Sequence, residues 1–176
     1  FGPTTGASLI EHDDVRMISF TGGTKGGSAA SLSASKKVKP IIMELGGKSP
    51  QIIFRDADIN LSVNGVVSGI FPVAGHSCIS GSRILVHKNI KDEFTNKLLE
   101  VVKKAKVGSP NDPSTQIGPI ANKEQYEFIL SKIEDAEKRG LKLLIDGRKE
   151  NKSEGYYIGP TIFDNVPNED DLTQNE

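Results

Sequence analysis

Met17-Ile18-Ser19-Phe20-Thr21-Gly22-Gly23-Thr24-Lys25-Gly26-Gly27 is the stretch on which the fold turns. A short apolar run after the turn-like pair Asp13-Asp14 gives way to clustered glycines, the pattern of a strand that ends in a tight bend. The alanines and serines of residues 28–36 predict a helix small enough in side chain to lie close to a sheet. Pro40-Ile41-Ile42-Met43-Glu44 then reads as a second strand. Strand, glycine turn, helix, strand is the opening of an α/β fold with right-handed crossovers.

The alternation continues downstream. Residues 50–54 read as a third strand, and Asp58 as the N-cap of a helix with Ile59, Val63, Val66, Val67 and Ile70 on one face, ended by Pro72. Residues 83–87 form a strand by the same reading. Helical spacing of Phe94, Leu98, Val101, Val102 and Ala105 predicts a helix over 90–105, and that of Tyr126, Ile129, Leu130, Ile133 and Ala136 predicts one over 122–139. Asn122 with Gln125 has the form of a capping box, and Gly140 that of a C-terminal stop. Residues 142–145 and 157–166 close as strands around a polar turn over 146–155. The predicted class is α/β, with a parallel or mixed sheet and flanking helices.

Composition narrows the function. A chain of 176 residues with 36% hydrophobic and 26% charged residues fits one globular domain, or one domain with part of another, and excludes disordered and collagen-like classes. The 22 basic and 23 acidic residues are interleaved, so no basic footprint for nucleic acid is expected. No apolar run approaches the roughly 18 to 20 residues that span a bilayer, and no membrane association is expected. A lone Cys78 excludes an internal disulfide and fits a reducing, cytoplasmic setting or a catalytic thiol. His12, His76 and His87 show no ligand spacing with Cys78, so no metal is expected. The start at Phe1, without Met, reads as processed or truncated.

Three segments carry candidate chemistry, each with a plainer reading beside it. The turn Gly22-Gly23…Gly26-Gly27 leaves backbone N–H groups at a helix N-terminus, suited to phosphate, or is a tight structural bend. Glu44 ends a strand just before Gly46-Gly47 and faces a cleft, or pairs with Lys48. Cys78 lies between Gly75 and Gly81 in the loop after Pro72 and is an activated nucleophile, or a small packed hydrophobe. A cysteine hydrolase built on His76 and Cys78 is disfavoured, because two residues of separation rarely align the imidazole with the sulfur and no orienting acid is present.

Taken in order, Phe20-Thr21-Gly22-Gly23-Thr24…Gly27, Glu44-Leu45-Gly46-Gly47-Lys48-Ser49-Pro50 and Gly75…Cys78…Gly81-Ser82-Arg83 strongly resemble the NAD(P)-dependent aldehyde dehydrogenase superfamily. Gly118-Pro119-Ile120 and Gly155-Tyr156-Tyr157-Ile158-Gly159-Pro160-Thr161-Ile162-Phe163 extend the likeness over essentially the whole chain. The resemblance implies that residues 1–45 are the C-terminal part of a dinucleotide-binding domain, a partial Rossmann edge. Residues 46–176 would then be a catalytic domain, incomplete at its C-terminal end. It implies Cys78 as nucleophile and Glu44 as the base that activates water. It implies Gly22, Gly23 and Gly27 against the cofactor diphosphate, Leu45 beside the nicotinamide, and Glu176 holding the nicotinamide ribose. NAD or NADP is the implied cofactor, an aldehyde the substrate, a carboxylic acid the product, and a homo-oligomer the parent assembly.

Departures from the family pattern qualify these roles. Gly23 stands where many members carry Ser, Val73 where Asn is common, and His76 where Gln or Glu is common. No Arg or Lys lies between Ile59 and Gly81, which argues against succinate semialdehyde as substrate. Members are much longer, so this piece alone is expected to bind cofactor poorly and to lack activity. The alternative is a non-catalytic fragment or interaction module that keeps the fold.

Overall fold

The computed structural model describes residues 2–150 and 155–176. It comprises two units, Phe1–Gly47 with Glu176, and Lys48–Asn175. In the first, a π-helical turn at Gly2–Gly6 leads into helix α1 (Ala7–Glu11), neither of which the sequence pattern marks. Lys39 holds this segment, its Nζ donating to the carbonyls of Ile10 and His12 at 2.7 and 2.5 Å. Strands β1 (Ile18–Thr21) and β2 (Ile41–Glu44) pair in parallel, with Thr21 opposite Glu44.

Between them runs helix α2 (Thr24–Ser35), which begins four residues earlier than the composition predicts. Gly23 is its extended N-cap, and the Gly27 N–H donates to the Gly23 carbonyl at 3.0 Å. The glycines read as a loop are thus partly the first turn of the helix, where low intrinsic propensity is overridden by close packing. Ala30 and Ala34 are the buried side chains of this helix.

The second unit is built on another parallel pair, β3 (Pro50–Ile53) and β4 (Arg83–Val86), with Pro50 opposite Arg83 and Ile53 opposite Val86. The chain crosses between them through helix α3 (Ile59–Ile70), started by Asp58, whose Oδ1 accepts the Leu61 N–H at 2.9 Å. Helix α4 (Lys91–Val102) packs on α3, and Val63, Val66, Phe94, Leu98 and Val102 form the principal core. Ile53, Ile84 and Val86 seal that core from the sheet side. Helix α5 (Lys123–Lys138) is capped by Asn122, which accepts the Gln125 N–H at 2.8 Å.

Strands β5 (Lys142–Ile145) and β6 (Ile162–Asp164) pair antiparallel with an irregularity between Leu143 and Ile145, and a short helix α6 (Asp171–Gln174) follows. The strand expected over 157–166 is therefore reduced to three residues. Tyr157 and Ile158 are buried in two separate apolar clusters, and the Gly159 N–H is taken by the Gly147 carbonyl at 2.8 Å. Pro160 has no N–H to offer a ladder, and Asn165 turns away with a φ of 54°. Of the polar turn expected over 146–155, Gly147–Glu150 is a 3₁₀ turn and residues 151–154 lie outside the described residues.

Asp164, Asp170 and Asp146 are among the carboxylates that fasten this C-terminal half. Asp164 takes Lys91 at 2.8 Å, Asp170 takes the fork of Arg139 at 2.9 and 3.0 Å, and Asp146 takes Arg148 at 2.8 and 2.9 Å. Hydrogen bonds from Lys91, Arg139 and Arg148 respectively are the leading causes that hold each carboxyl below its ordinary value. Because the folded-state values are depressed, this stabilisation is complete above about pH 4 and is lost as the pH falls through the lowered values. Thermal unfolding between pH 7 and pH 2 is expected to show a midpoint that falls mainly below about pH 4, with a smaller acid-induced drop in Lys91→Met. Truncating Phe94 to Ala is expected to cost about 3 to 5 kcal/mol in denaturant unfolding, since its ring is wholly enclosed.

Candidate active site

The glycine turn is shaped by one aromatic ring. A Cβ on Gly22 would lie 2.9 Å from the tip of Phe20, and one on Gly26 3.0 Å from it, so both positions exclude larger residues unless the ring moves. Gly27 is buried, and a Cβ there would meet Leu45 Cδ2 at 2.7 Å. Gly22 and Gly23 are exposed, and Gly23 starts a twelve-residue helix with no side-chain cap. The N–H groups of the first turn of α2 therefore have no acceptor within the helix, and the helix dipole adds positive potential at the same end. With Gly at position 23, backbone donors are all that this capping position offers.

Glu44 closes β2 beside that turn. Its carbonyl accepts the Gly22 N–H at 3.1 Å, which fixes the strand end against the bend, and its side chain is exposed. Glu176 belongs to the same unit: its carboxylate lies against Gly46, where any Cβ would collide with it. Gly22, Gly23, Gly27, Glu44, Leu45 and Glu176 are thus gathered in the first unit. Cys78 belongs to the second.

Cys78 is exposed and sits in the connection between α3 and β4. Val73, Ala74 and Gly75 all take left-handed backbone, with φ of 55°, 51° and 78°. The Val73 carbonyl anchors the far side of this bend, accepting the His76 N–H at 3.0 Å and lying 3.0 Å from His76 Nδ1. A carbonyl can only accept, so Nδ1 is the donor in that bond. Ala74 turns inward over an apolar groove of about 160 Å³ lined by Ile70, Phe71, Ile117, Ile120 and Ile158. The next turn is closed by the Ser80 N–H on the Ser77 carbonyl at 3.0 Å, leaving Cys78 and Ile79 at its exposed tip.

The exit of the loop is pinned to the fold. The Gly81 N–H donates to the Gly69 carbonyl at 3.0 Å, and the Arg83 Nε donates to the Lys48 carbonyl at 2.5 Å. Gln51 on β3 donates from Nε2 to the Gly81 carbonyl at 2.8 Å. Sequence reasoning passed over Gln51, because a polar residue in a strand reads as a solvent-facing alternate. The signal was the pair Gly69 and Gly81, whose missing side chains make room for it.

A model of the Aldehyde dehydrogenase family matches residues 1–176. The chain belongs to the aldehyde dehydrogenase family. It is 42% identical over its whole length to aldehyde dehydrogenase 1 of Tanacetum cinerariifolium, of which it covers 35%. It is 39% identical, over 94% of its length, to the chloroplastic betaine aldehyde dehydrogenase of Atriplex hortensis, of which it covers 33%. Among solved structures, betaine aldehyde dehydrogenase from Staphylococcus aureus in complex with NAD+ superposes with a TM-score of 0.95 at 35% identity, over all of this chain and 36% of that one. The chain thus spans about a third of the length of these aldehyde dehydrogenases, and its α/β fold is theirs.

The left-handed bend makes Val73, where the resemblance leads to an expectation of Asn, a costly choice in physical terms. Asn tolerates positive φ far better than β-branched Val, whose Cβ substituents crowd the backbone there. Val73→Asn is expected to raise the thermal midpoint by about 2 to 4 °C, corresponding to about 1 kcal/mol of relieved strain in a unit of this size. An unchanged or lower midpoint in calorimetry would show that the bend carries no such strain.

Proposed function

We propose that this chain is the cysteine-bearing portion of an NAD(P)-dependent aldehyde dehydrogenase that oxidises an aldehyde to a carboxylic acid. The observation that carries the proposal is an exposed thiol, Cys78, on a loop tied down at both ends, in a chain matched from end to end by this family. In this reading residues 1–45 contribute to dinucleotide binding and residues 46–176 to the thiol chemistry.

The glycine turn fits a diphosphate, since exposed backbone beside Gly22 and Gly23 meets the uncapped N-terminus of α2. Leu45, packed on Gly27, offers an apolar wall to a nicotinamide ring, and the Glu176 carboxylate beside Gly46 offers an acceptor to a ribose hydroxyl. When bound, the dinucleotide accepts a hydride. The Cys78 sulfur, as thiolate, attacks the aldehyde carbon; a C–S bond forms, the C=O π pair moves to oxygen, and a thiohemiacetal alkoxide results. Loss of the hydride from that carbon leaves a thioester on Cys78. The Glu44 carboxylate takes a proton from water, the resulting hydroxide adds to the thioester carbon, and the C–S bond breaks to release the acid and regenerate the thiolate.

Two substitutions in the full-length protein separate these roles. With NAD+ or NADP+ and propanal, benzaldehyde or betaine aldehyde as probes, Cys78→Ala is expected to lose turnover by at least about a thousandfold. Glu44→Gln is expected to release one equivalent of reduced cofactor and then stall, because the thioester forms but is not hydrolysed. Steady turnover in either variant would remove the corresponding residue from the mechanism.

A further inference from the structure

We propose that Gln51 is a positioning residue for the Cys78 loop, acting through the carbonyl of Gly81. This rests on the reading of Cys78 as the nucleophile. The turn Ser77-Cys78-Ile79-Ser80 makes its own closing hydrogen bond, but that bond fixes only its internal shape. Its placement relative to the sheet depends on its flanks. On the N-terminal flank the left-handed run 73–75 is held by His76, itself exposed. On the C-terminal flank Ser80 and Gly81 are buried, so that end supplies the rigid reference.

Gln51 is the side chain that holds the Gly81 carbonyl on that flank. Its Nε2 donates to the Gly81 carbonyl at 2.8 Å and lies 3.5 Å from the Val66 carbonyl of α3. The amide fills a slot that two glycines leave open: a Cβ on Gly81 would come within 2.5 Å of Nε2, and one on Gly69 within 3.1 Å of Oε1. Gly69 and Gly81 are also joined by their own backbone hydrogen bond at 3.0 Å. One amide therefore touches the strand, the end of the helix and the loop exit three residues beyond the sulfur. A displacement of the order of 1 Å at a reacting atom is enough to cost about a hundredfold in rate, so a single anchor of this kind has leverage.

The slot demands a donor of this length. Met has a similar shape but no N–H, and a Glu carboxylate would face the Gly81 carbonyl as a second acceptor. A protonated Glu can donate again. These differences give a signature that general loss of packing does not share.

The test uses the full-length protein with NAD+ or NADP+ and the three probe aldehydes, following the rate of the first turnover and KM. Gln51→Met is expected to slow the first turnover about tenfold while KM for aldehyde and cofactor changes by less than about twofold. Gln51→Glu is expected to be as slow as the Met variant at pH 8. Relative to wild type it should recover as the pH is lowered towards about 5, while the Met variant does not. If Gln51→Met fails to accumulate as folded protein, the shape-conserving Glu variant and its pH profile decide alone. Wild-type first-turnover rates in the variants, or a Glu variant without acid recovery, overturn the role of Gln51 and leave Cys78 untouched. Undiminished activity in Cys78→Ala, or no oxidation of any probe by wild type, overturns the parent reading and this inference with it.

Discussion

Parallel strands cannot be joined by a tight turn; each pair needs a crossover long enough to return the chain to the same end of the sheet. That constraint acts twice here, in β1-α2-β2 and in β3-α3-β4, and it decides where chemistry can reside. The first crossover leaves β1 through the glycine turn and re-enters the sheet at Ile41, the start of the strand that ends in Glu44. The second leaves α3 through the left-handed bend and re-enters the sheet at Arg83, with Cys78 on the way. The ladders and the α3-α4 core are the rigid parts; Gly22, Gly23 and Cys78 occupy the connections that the ladders make obligatory, and Glu44 sits at a strand end.

Small residues set the scale of both connections. Phe20 lies under Gly22 and Gly26, Leu45 lies over Gly27, and the Gln51 amide lies between Gly69 and Gly81. In each case a side chain enters the space that a missing Cβ vacates. Close approach, rather than left-handed backbone, is what glycine supplies at these five positions. Gly75 is different, since its φ of 78° completes a run that Val73 and Ala74 already follow against their own preference.

Much of this was legible from the residue order. The parallel pairs, the four long helices and the caps at Asp58 and Asn122 follow from periodicity and from short polar side chains placed just before apolar runs. What stayed hidden depends on partners distant in sequence. The early start of α2 needs tertiary packing to override Thr24, Gly26 and Gly27 in its first turn. The loss of strand over 157–161 follows from Gly159 bonding to Gly147 and from Tyr157 and Ile158 each entering a different cluster. Helix α6 is too short to show a period, being held by Asp170, which caps it and pairs with Arg139. Of the site, residue types and order were readable, whereas the Gln51 anchor needs the strand, the helix end and the loop to be seen together.

The solitary thiol at an exposed turn also sets the valence of this chain towards oxidants. Residues 1–176 carry one sulfhydryl, so oxidative coupling within this stretch joins two copies through one bridge, between their Cys78 sulfurs. Ile79, four-fifths exposed beside the sulfur, places a greasy patch at the junction such a bridge would make. Peroxide that reaches Cys78 before a second thiol does would instead drive it up the sulfenic to sulfinic series.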